Sequence, residues 1–317
     1  MNDDNRKETD EIGFIGLGAM GEGMVDNLLK AGLEVVGFDP REEALERLRE
    51  RGGRPASSPA DAADGAKLLI LMVVNDRQVE AVLFGENGAA ASLTPGAVVM
   101  MCSTVPADFT RSLGERLAER GIGLLDAPVS GGAVGARDGT LTIMASGSES
   151  AFSAAEKALD AMAGRVFPLG DKVGTGSSIK AVNQLLAGVN LVTAAEGMAF
   201  GVAQGADPKL LFEIIKDAAG GSWMFGDRVP HMLDDDYTPK SAVGIWAKDL
   251  GLVLDQAKTI GMPAPVTAAA HQVVMMAMAN GFAALDDAAL LKVYEGFTGA
   301  KVVPDDEGAP DERYEAA

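Results

Sequence analysis

The chain has 317 residues, 47% of them apolar, and 46 acidic side chains against 27 basic ones give it a net charge of −19. The length allows two domains with buried cores, and the charge argues against nucleic acid or an anionic membrane as partner while leaving room for a small anionic substrate held by local donors. A lone cysteine, Cys102, excludes a disulfide within the chain and fits a reducing cytoplasm.

The opening MNDDNRKETD is polar, so no secretory signal is expected there. Ile12 to Ile15 reads as a short apolar strand. It enters a Gly16-x-Gly18-x-x-Gly21 loop, an amphipathic helical run and a second strand ending in Asp39. In a chain with 39 glycines a bare G-x-G-x-x-G says little, but strand, loop, helix, strand and terminal acid in that order predict a dinucleotide site. Gly16 permits the tight turn, Gly18 lets the backbone approach a pyrophosphate, and Gly21 lets the helix pack close to the strand. The helix N-terminus offers N–H groups and a positive dipole end. Gly16, Leu17, Gly18, Ala19 and Gly21 are therefore candidate cofactor residues. Asp39, eighteen residues past Gly21, is placed to accept from the adenosine ribose hydroxyls, which favours NAD over NADP. Arg41 tempers this preference, because an arginine just after the strand can hold a 2′-phosphate.

Strand-like runs continue at Val35 to Phe38, Leu68 to Val73, Val98 to Met101, Gly123 to Asp126, Leu141 to Ala145 and Arg165 to Pro168, alternating with helical patterns. That rhythm predicts a Rossmann-type, doubly wound, mainly parallel α/β sheet over residues 1–173. The stretch Leu68 to Val74 is far too short to span a bilayer. Within the same region, Asp126-Ala-Pro-Val-Ser130-Gly131-Gly132 follows a strand and ends in a turn whose hydroxyl and N–H groups can cradle a carboxylate; a plain tight turn reads equally well. After Gly174 the texture changes. Ser177 or Ser178 reads as an N-cap to a long helical stretch reaching about Gly205. Further helical runs at Pro208 to Lys216, Ala242 to Lys258, Pro263 to Asn280 and Asp286 to Glu295 predict an all-helical domain over 174–300, with a disordered acidic tail over 301–317.

The two histidines, His231 and His271, lie in no spacing suited to zinc, so no metal site is expected. Ser177-Ser-Ile-Lys180 matches the S-x-x-K of penicillin-recognising serine enzymes, but S-D-N and K-T-G are absent. Lys180 reads better as an acid/base. Asn183 and Gln184 share its helix face at i+3 and i+4, and a cation in the first turn opposes the helix dipole, so partial desolvation would lower its pKa toward neutrality. A solvated surface lysine is the competing reading.

GFIGLGAMGEGM, CSTVP, DAPVSGG, GTGSSIKAVNQ and the KDL of Lys248 to Leu250 occur in that order between about residues 11 and 299, and with them the chain resembles the β-hydroxyacid dehydrogenase family. That family includes 3-hydroxyisobutyrate dehydrogenase and tartronate semialdehyde reductase. Segments such as VVNDRQVEAVLFGENG, AAGGSWMF and DDDYTPKSAVGIWAKDLGLV resemble its L-threonate dehydrogenase branch. The resemblance implies that Lys180 is the catalytic lysine, with Asn183 and Gln184 orienting substrate; many relatives have Asn where Gln184 stands. It implies that Ser130, Gly131 and Gly132 hold the substrate carboxylate. Met20, Asn75, Thr104 and Lys248 would contact the cofactor, Asn75 replacing a proline common among relatives. Trp223 and Phe225 would border the substrate pocket, or serve as core aromatics. The implied activity is NAD-dependent oxidation of a short hydroxy acid, in that branch L-threonate at C2 to the 2-oxo acid, with 3-hydroxyisobutyrate dehydrogenase, a tartronate semialdehyde or glyoxylate-type reductase, and a non-catalytic NAD-binding module as alternatives. The family's habit also implies a homodimer or homotetramer joined through the helical domain.

Overall fold

A strand covered by helices on both faces has to be apolar on both, and the runs LLIL and VVMM meet that demand. The structure, a computed structural model, describes residues 11–303; the first ten residues and all of the expected acidic tail beyond 303 lie outside the described residues. Two compact units, Met1–Asn183 and Gln184–Ala317, part inside one long helix.

The first unit runs β1 (Glu11–Ile15), α1 (Ala19–Lys30), β2 (Glu34–Phe38), α2 (Glu42–Glu50), β3 (Arg54–Pro55), α3 (Pro59–Ala63), β4 (Leu68–Leu71), α4 (Asp76–Phe84), β5 (Val98–Met101), α5 (Ala107–Ala118) and β6 (Gly123–Asp126). Then come β7 (Val129–Ser130), α6 (Gly132–Asp138), β8 (Leu141–Ala145), α7 (Glu149–Met162) and β9 (Ala163–Pro168), before the chain enters α8 (Thr175–Ala203). The main sheet has the order β3-β2-β1-β4-β5-β6 and every pairing in it is parallel. The alternation of side chains along each strand feeds two cores: Phe14, Ile70, Met100 and Leu125 pack on one face, and Ile15, Leu69, Val99 and Leu124 on the other. From β1 the chain first builds outward through β2 and β3, then returns to add β4 on the opposite side. The carboxyl ends of β1 and β4 therefore meet at a topological switch point, where such sheets bind ligands.

Two expected members of this sheet are elsewhere. β8 and β9 form a separate three-stranded sheet with β7, of order β7-β8-β9, antiparallel then parallel. Apolar periodicity identifies a strand but not its partner, so the sequence could not separate the two sheets. The two-residue β3 is too short to give a periodic signal.

The second unit continues α8 and adds α9 (Pro208–Ile215), α10 (Trp223–Leu233), α11 (Val243–Thr259), α12 (Pro265–Ala279) and α13 (Leu290–Thr298) around Leu191, Met198, Val229, Leu250 and Val274. α10 is an unexpected helix. It contains Gly226 and Pro230, both poor helix residues, and it is started by the Ser222 hydroxyl, which accepts from the Phe225 N–H at 3.0 Å. By length and composition α8 alone among the described helices is long and apolar enough to cross a membrane. Its buried stripe, Ser177, Lys180, Ala181, Gln184, Gly188 and Leu191, follows helical spacing and includes three polar side chains. Gly188 allows α11 close, since a Cβ there would lie 2.7 Å from the Leu250 side chain.

Candidate cofactor and active site

Because β1, β4, β5 and β6 run parallel with Ile15, Leu71, Met101 and Asp126 in register, the loops leaving them emerge at one edge of the sheet. That edge gathers the Gly16 to Gly21 loop, Asn75, Thr104 and the segment after Asp126. The three fingerprint glycines have different surroundings. Gly16 has φ +101, its N–H donates to the Phe38 carbonyl at 2.9 Å, and a Cβ there would overlap the Met72 carbonyl. At Gly21 a Cβ would overlap the Gly16 carbonyl. Gly18 has open space where its side chain would be, and it gives α1 no side-chain cap. Leu17 is buried, while Ala19 and Met20 form the first turn. These features fit a pyrophosphate: two glycines are needed by the fold, and the third leaves backbone accessible beside an uncapped helix start.

Asp39 is only 5% exposed. Its Oδ2 accepts from the Leu17 N–H at 2.9 Å and from Arg41 Nη2 at 3.0 Å, and its Oδ1 accepts from the Arg41 backbone N–H at 3.1 Å and from Arg41 Nε at 2.8 Å. Burial pushes the carboxyl up, but the Arg41 and Leu17 hydrogen bonds together outweigh it and hold the group below the usual carboxylate range. A carboxylate has about four acceptor directions. A ribose hydroxyl reaching Asp39 must therefore share them with Arg41, whose side chain is half exposed and also donates to the Leu17 carbonyl at 3.2 Å.

Asn75 lies at the start of α4, where its side chain accepts from the Gln78 N–H at 2.9 Å while Gln78 Oε1 accepts from the Val74 N–H at 2.8 Å. Asn75 thus caps α4, a local role that the Asn75-x-x-Gln78 spacing signals. The adjoining loop is tied down by the Ser103 hydroxyl, which accepts from the Val73 N–H at 2.9 Å next to half-buried Thr104. Ser130 ends β7, and Gly131, at φ +130, turns the chain into α6 with Gly132 as its first residue. Ser130 is partly exposed there.

α8 begins at Thr175, ahead of the expected Ser177 or Ser178 cap, which places Lys180 in the second turn rather than the first. The serines are not caps: the Ser178 hydroxyl donates to the Gly174 carbonyl at 2.8 Å, and the Ser177 hydroxyl donates to Asp126 Oδ1 at 2.7 Å. Ser177 is 2% exposed and also meets Thr110 Oγ1 at 2.9 Å, so the S-x-x-K reading loses its nucleophile. The dipole argument for Lys180 weakens with the shift, because the effect fades beyond the first turn. Lys180 itself is 6% exposed, with half-buried Asn183 three residues on.

In the second unit, the Gln184 amide donates to Asp249 Oδ2, and Lys248 Nζ lies 2.7 Å from Asp249 Oδ1. Asp249, 2% exposed, thus joins two expected site residues. Sequence reasoning passed over it, although it is the middle letter of KDL. The two aromatics separate: Trp223 is 65% exposed at the start of α10, whereas Phe225 is buried, its ring stacked on Phe212 at 6.0 Å.

Residues 11–170 match a family model described as the NAD binding domain of 6-phosphogluconate dehydrogenase, and residues 174–294 match one described as NAD-binding of NADP-dependent 3-hydroxyisobutyrate dehydrogenase. An L-threonate dehydrogenase of Cupriavidus necator is 51% identical, covering 90% of this chain and 96% of the relative. One from Pectobacterium atrosepticum is 43% identical, covering 94% and 97%. A solved structure described as 3-hydroxyisobutyrate dehydrogenase from Salmonella typhimurium is 41% identical with a TM-score of 0.84, covering 89% of this chain and 99% of that one. With the nucleotide-binding edge, the helical second unit and these matches across nearly the whole chain, the protein belongs to the β-hydroxyacid dehydrogenase family, the NAD-binding oxidoreductases related to 3-hydroxyisobutyrate dehydrogenase.

Proposed function

We propose that the protein is an L-threonate dehydrogenase that oxidises the C2 hydroxyl of L-threonate to the 2-oxo acid with NAD. The observation that carries this reading is the buried polar stripe of α8, with Lys180 and Gln184, in a chain 51% identical to an L-threonate dehydrogenase over nearly its full length. Gly16 to Gly21 would take the pyrophosphate and Asp39 the adenosine ribose, with Asn75, Thr104 and Lys248 as further contacts. Bound NAD supplies the acceptor for the C2 hydride.

The chain's own residues do the rest. Ser130 and the N–H groups of Gly131 and Gly132 hold the substrate carboxylate. The neutral amine of Lys180 takes the C2 hydroxyl proton in oxidation, and its ammonium returns one in reduction. Asn183 and Gln184 direct the substrate hydroxyls, with Asp249 fixing the Gln184 amide. Trp223 and Phe225 are the weakest of the proposed contacts, one being largely exposed and the other packed in a core.

Residues 1–173 act as the cofactor domain and 174–300 as the substrate and oligomerisation domain, in a cytoplasmic homodimer or homotetramer. The exposed Phe200, Leu210, Ile214 and Val266 support association through the helical part. A kinetic screen of C3 and C4 hydroxy acids with NAD and NADP tests the assignment. The highest kcat/KM is expected for L-threonate, the substrate named for the 51% identical relative. Equal or higher kcat/KM for 3-hydroxyisobutyrate overturns the substrate and leaves the family intact.

A further inference from the structure

We infer that Asp126 is a positioning residue for Lys180: its buried carboxylate clamps the first turn of α8 and so fixes where that helix presents its lysine. The inference rests on the reading of Lys180 as the proton acceptor. Asp126 is the last residue of β6 and is fully buried. Its Oδ2 accepts from the Gly174 N–H at 3.0 Å and the Ser177 N–H at 2.9 Å, its Oδ1 accepts from the Ser177 hydroxyl, and the Ser146 hydroxyl donates to Oδ2 at 3.3 Å. Ser146 Oγ in turn accepts from the Gly176 N–H at 3.1 Å. The remaining amides are also accounted for, with Thr175 donating to the Lys172 carbonyl at 3.2 Å and Ser178 to the Gly174 carbonyl at 3.0 Å.

Helices normally satisfy their first N–H groups with a neighbouring Ser, Thr, Asp or Asn. Here the acceptors come from strand ends 30 to 51 residues away in sequence. Such remote capping adds a positional constraint that a local cap cannot, because it ties one particular turn to the sheet edge. Gly176 is part of the seat: a Cβ there would overlap the Met144 carbonyl and stand 2.7 Å from the Asp126 carbonyl. Ser177 and Lys180 lie at i and i+3 on one helix face, separated by a rise of roughly 4.5 Å. The Ser177 hydroxyl, held between Asp126 and Thr110, therefore sets the rotation of α8 one turn before the lysine. Burial pushes the Asp126 carboxyl up against the pull of its donors, so the acid is retained despite an unfavourable setting.

Variants of the full-length protein, assayed with the best hydroxy acid of the screen, test this through kcat, NADH binding by fluorescence and Tm. Asp126→Ala should lower kcat by about 10²-fold with the NADH Kd unchanged, since small misplacements of a catalytic group are that damaging. Asp126→Asn should keep kcat within about threefold of wild type, because its oxygen still accepts the two amides while its NH2 faces the Ser177 hydroxyl. In a Lys180→Met background, Asp126→Ala should add no further loss. Equal losses for Ala and Asn, an additive loss in the Lys180→Met background, or normal kcat in folded Asp126→Ala overturns the inference. If Asp126→Ala does not fold, Ser177→Ala takes its place: a severalfold kcat loss that vanishes in the Lys180→Met background supports the clamp, and unchanged kcat overturns it. Failure of the underlying reading has a different signature, a near-normal kcat in Lys180→Met alone.

Discussion

The starts of α1 and α8 are both helix N-termini near the carboxyl edge of a sheet, and they are finished in opposite ways. α1 starts after Gly18, which gives it no side-chain cap and has open space at the missing Cβ. α8 starts with its amides taken by Asp126 and Ser146, and the glycine in that turn is hemmed in by backbone. An uncapped helix start keeps its donors and dipole for an anion, whereas a remotely capped one spends them on being held still. The same element is thus left open to an anion in one place and held still in the other.

The largest expected effect breaks the fixture's purpose. Lys180→Met should lower kcat by about 10²-fold to 10⁴-fold, the range for a positioned acid/base, while NADH affinity and Tm stay near wild type. The wild-type oxidation rate should rise with pH as the neutral amine forms, and the variant should lack that limb. Near-normal kcat, or inactivity explained by unfolding, moves the catalytic role elsewhere. A matched pair of glycine substitutions sharpens the comparison next. Gly176→Ala forces a Cβ into the Met144 carbonyl and should cost about 1–3 kcal/mol, read as a Tm several degrees lower. Gly18→Ala meets no neighbour and has φ −78, so Tm should hold, yet the NADH Kd should rise by about tenfold as the methyl group blocks the approach to the backbone. The contrast fails if both variants melt alike or if Gly18→Ala binds NADH normally.

The first helix start was legible in the sequence and the second was not, for a physical reason. Gly16, Gly18, Gly21 and Asp39 lie within one short stretch, so spacing alone predicts the turn, the helix start and the acid beside it. The clamp on α8 is assembled from Asp126, Ser146 and Ser177, which local rules treat separately, and those rules assigned Ser177 or Ser178 as the cap. The same limit hid Asp249, whose partner Gln184 lies on another helix, and the small sheet of β7, β8 and β9, since a strand's periodicity does not name its neighbour. α10 was missed because Gly226 and Pro230 outweighed the Ser222 cap in a local reading. The α/β class and most of the helices of the second unit could be read, because each rests on periodicity within a single segment.

Cofactor choice is the next smaller effect and belongs to the open helix start. Wild type should use NAD better than NADP. Asp39→Ser should narrow or reverse that preference, because it removes the like charge facing a 2′-phosphate and releases the Arg41 guanidinium to bind it. Arg41→Ala should leave NAD use nearly intact and weaken NADP further. Steady-state kcat/KM with both cofactors checks this, and a wild type that prefers NADP reverses the assignment and identifies Arg41 as its cause.

The smallest effect concerns the energetic burden of the clamp itself. Burial raises the Asp126 carboxyl above its unfolded value, so folding favours the protonated form, and ionisation at neutral pH reduces stability relative to acid. Asp126→Asn keeps the shape without the charge. It should therefore melt slightly higher than wild type at neutral pH, with the full advantage above the raised folded value. As pH falls through that value the advantage should shrink, and it should vanish below about 4, the ordinary carboxylate range, where both states of the wild type bind the proton. Thermal melts of the two proteins across this range decide the matter. A Tm difference that does not change with pH would assign the stability change to altered hydrogen bonding, and a variant that is less stable at neutral pH would show that the donors on Asp126 outweigh its burial.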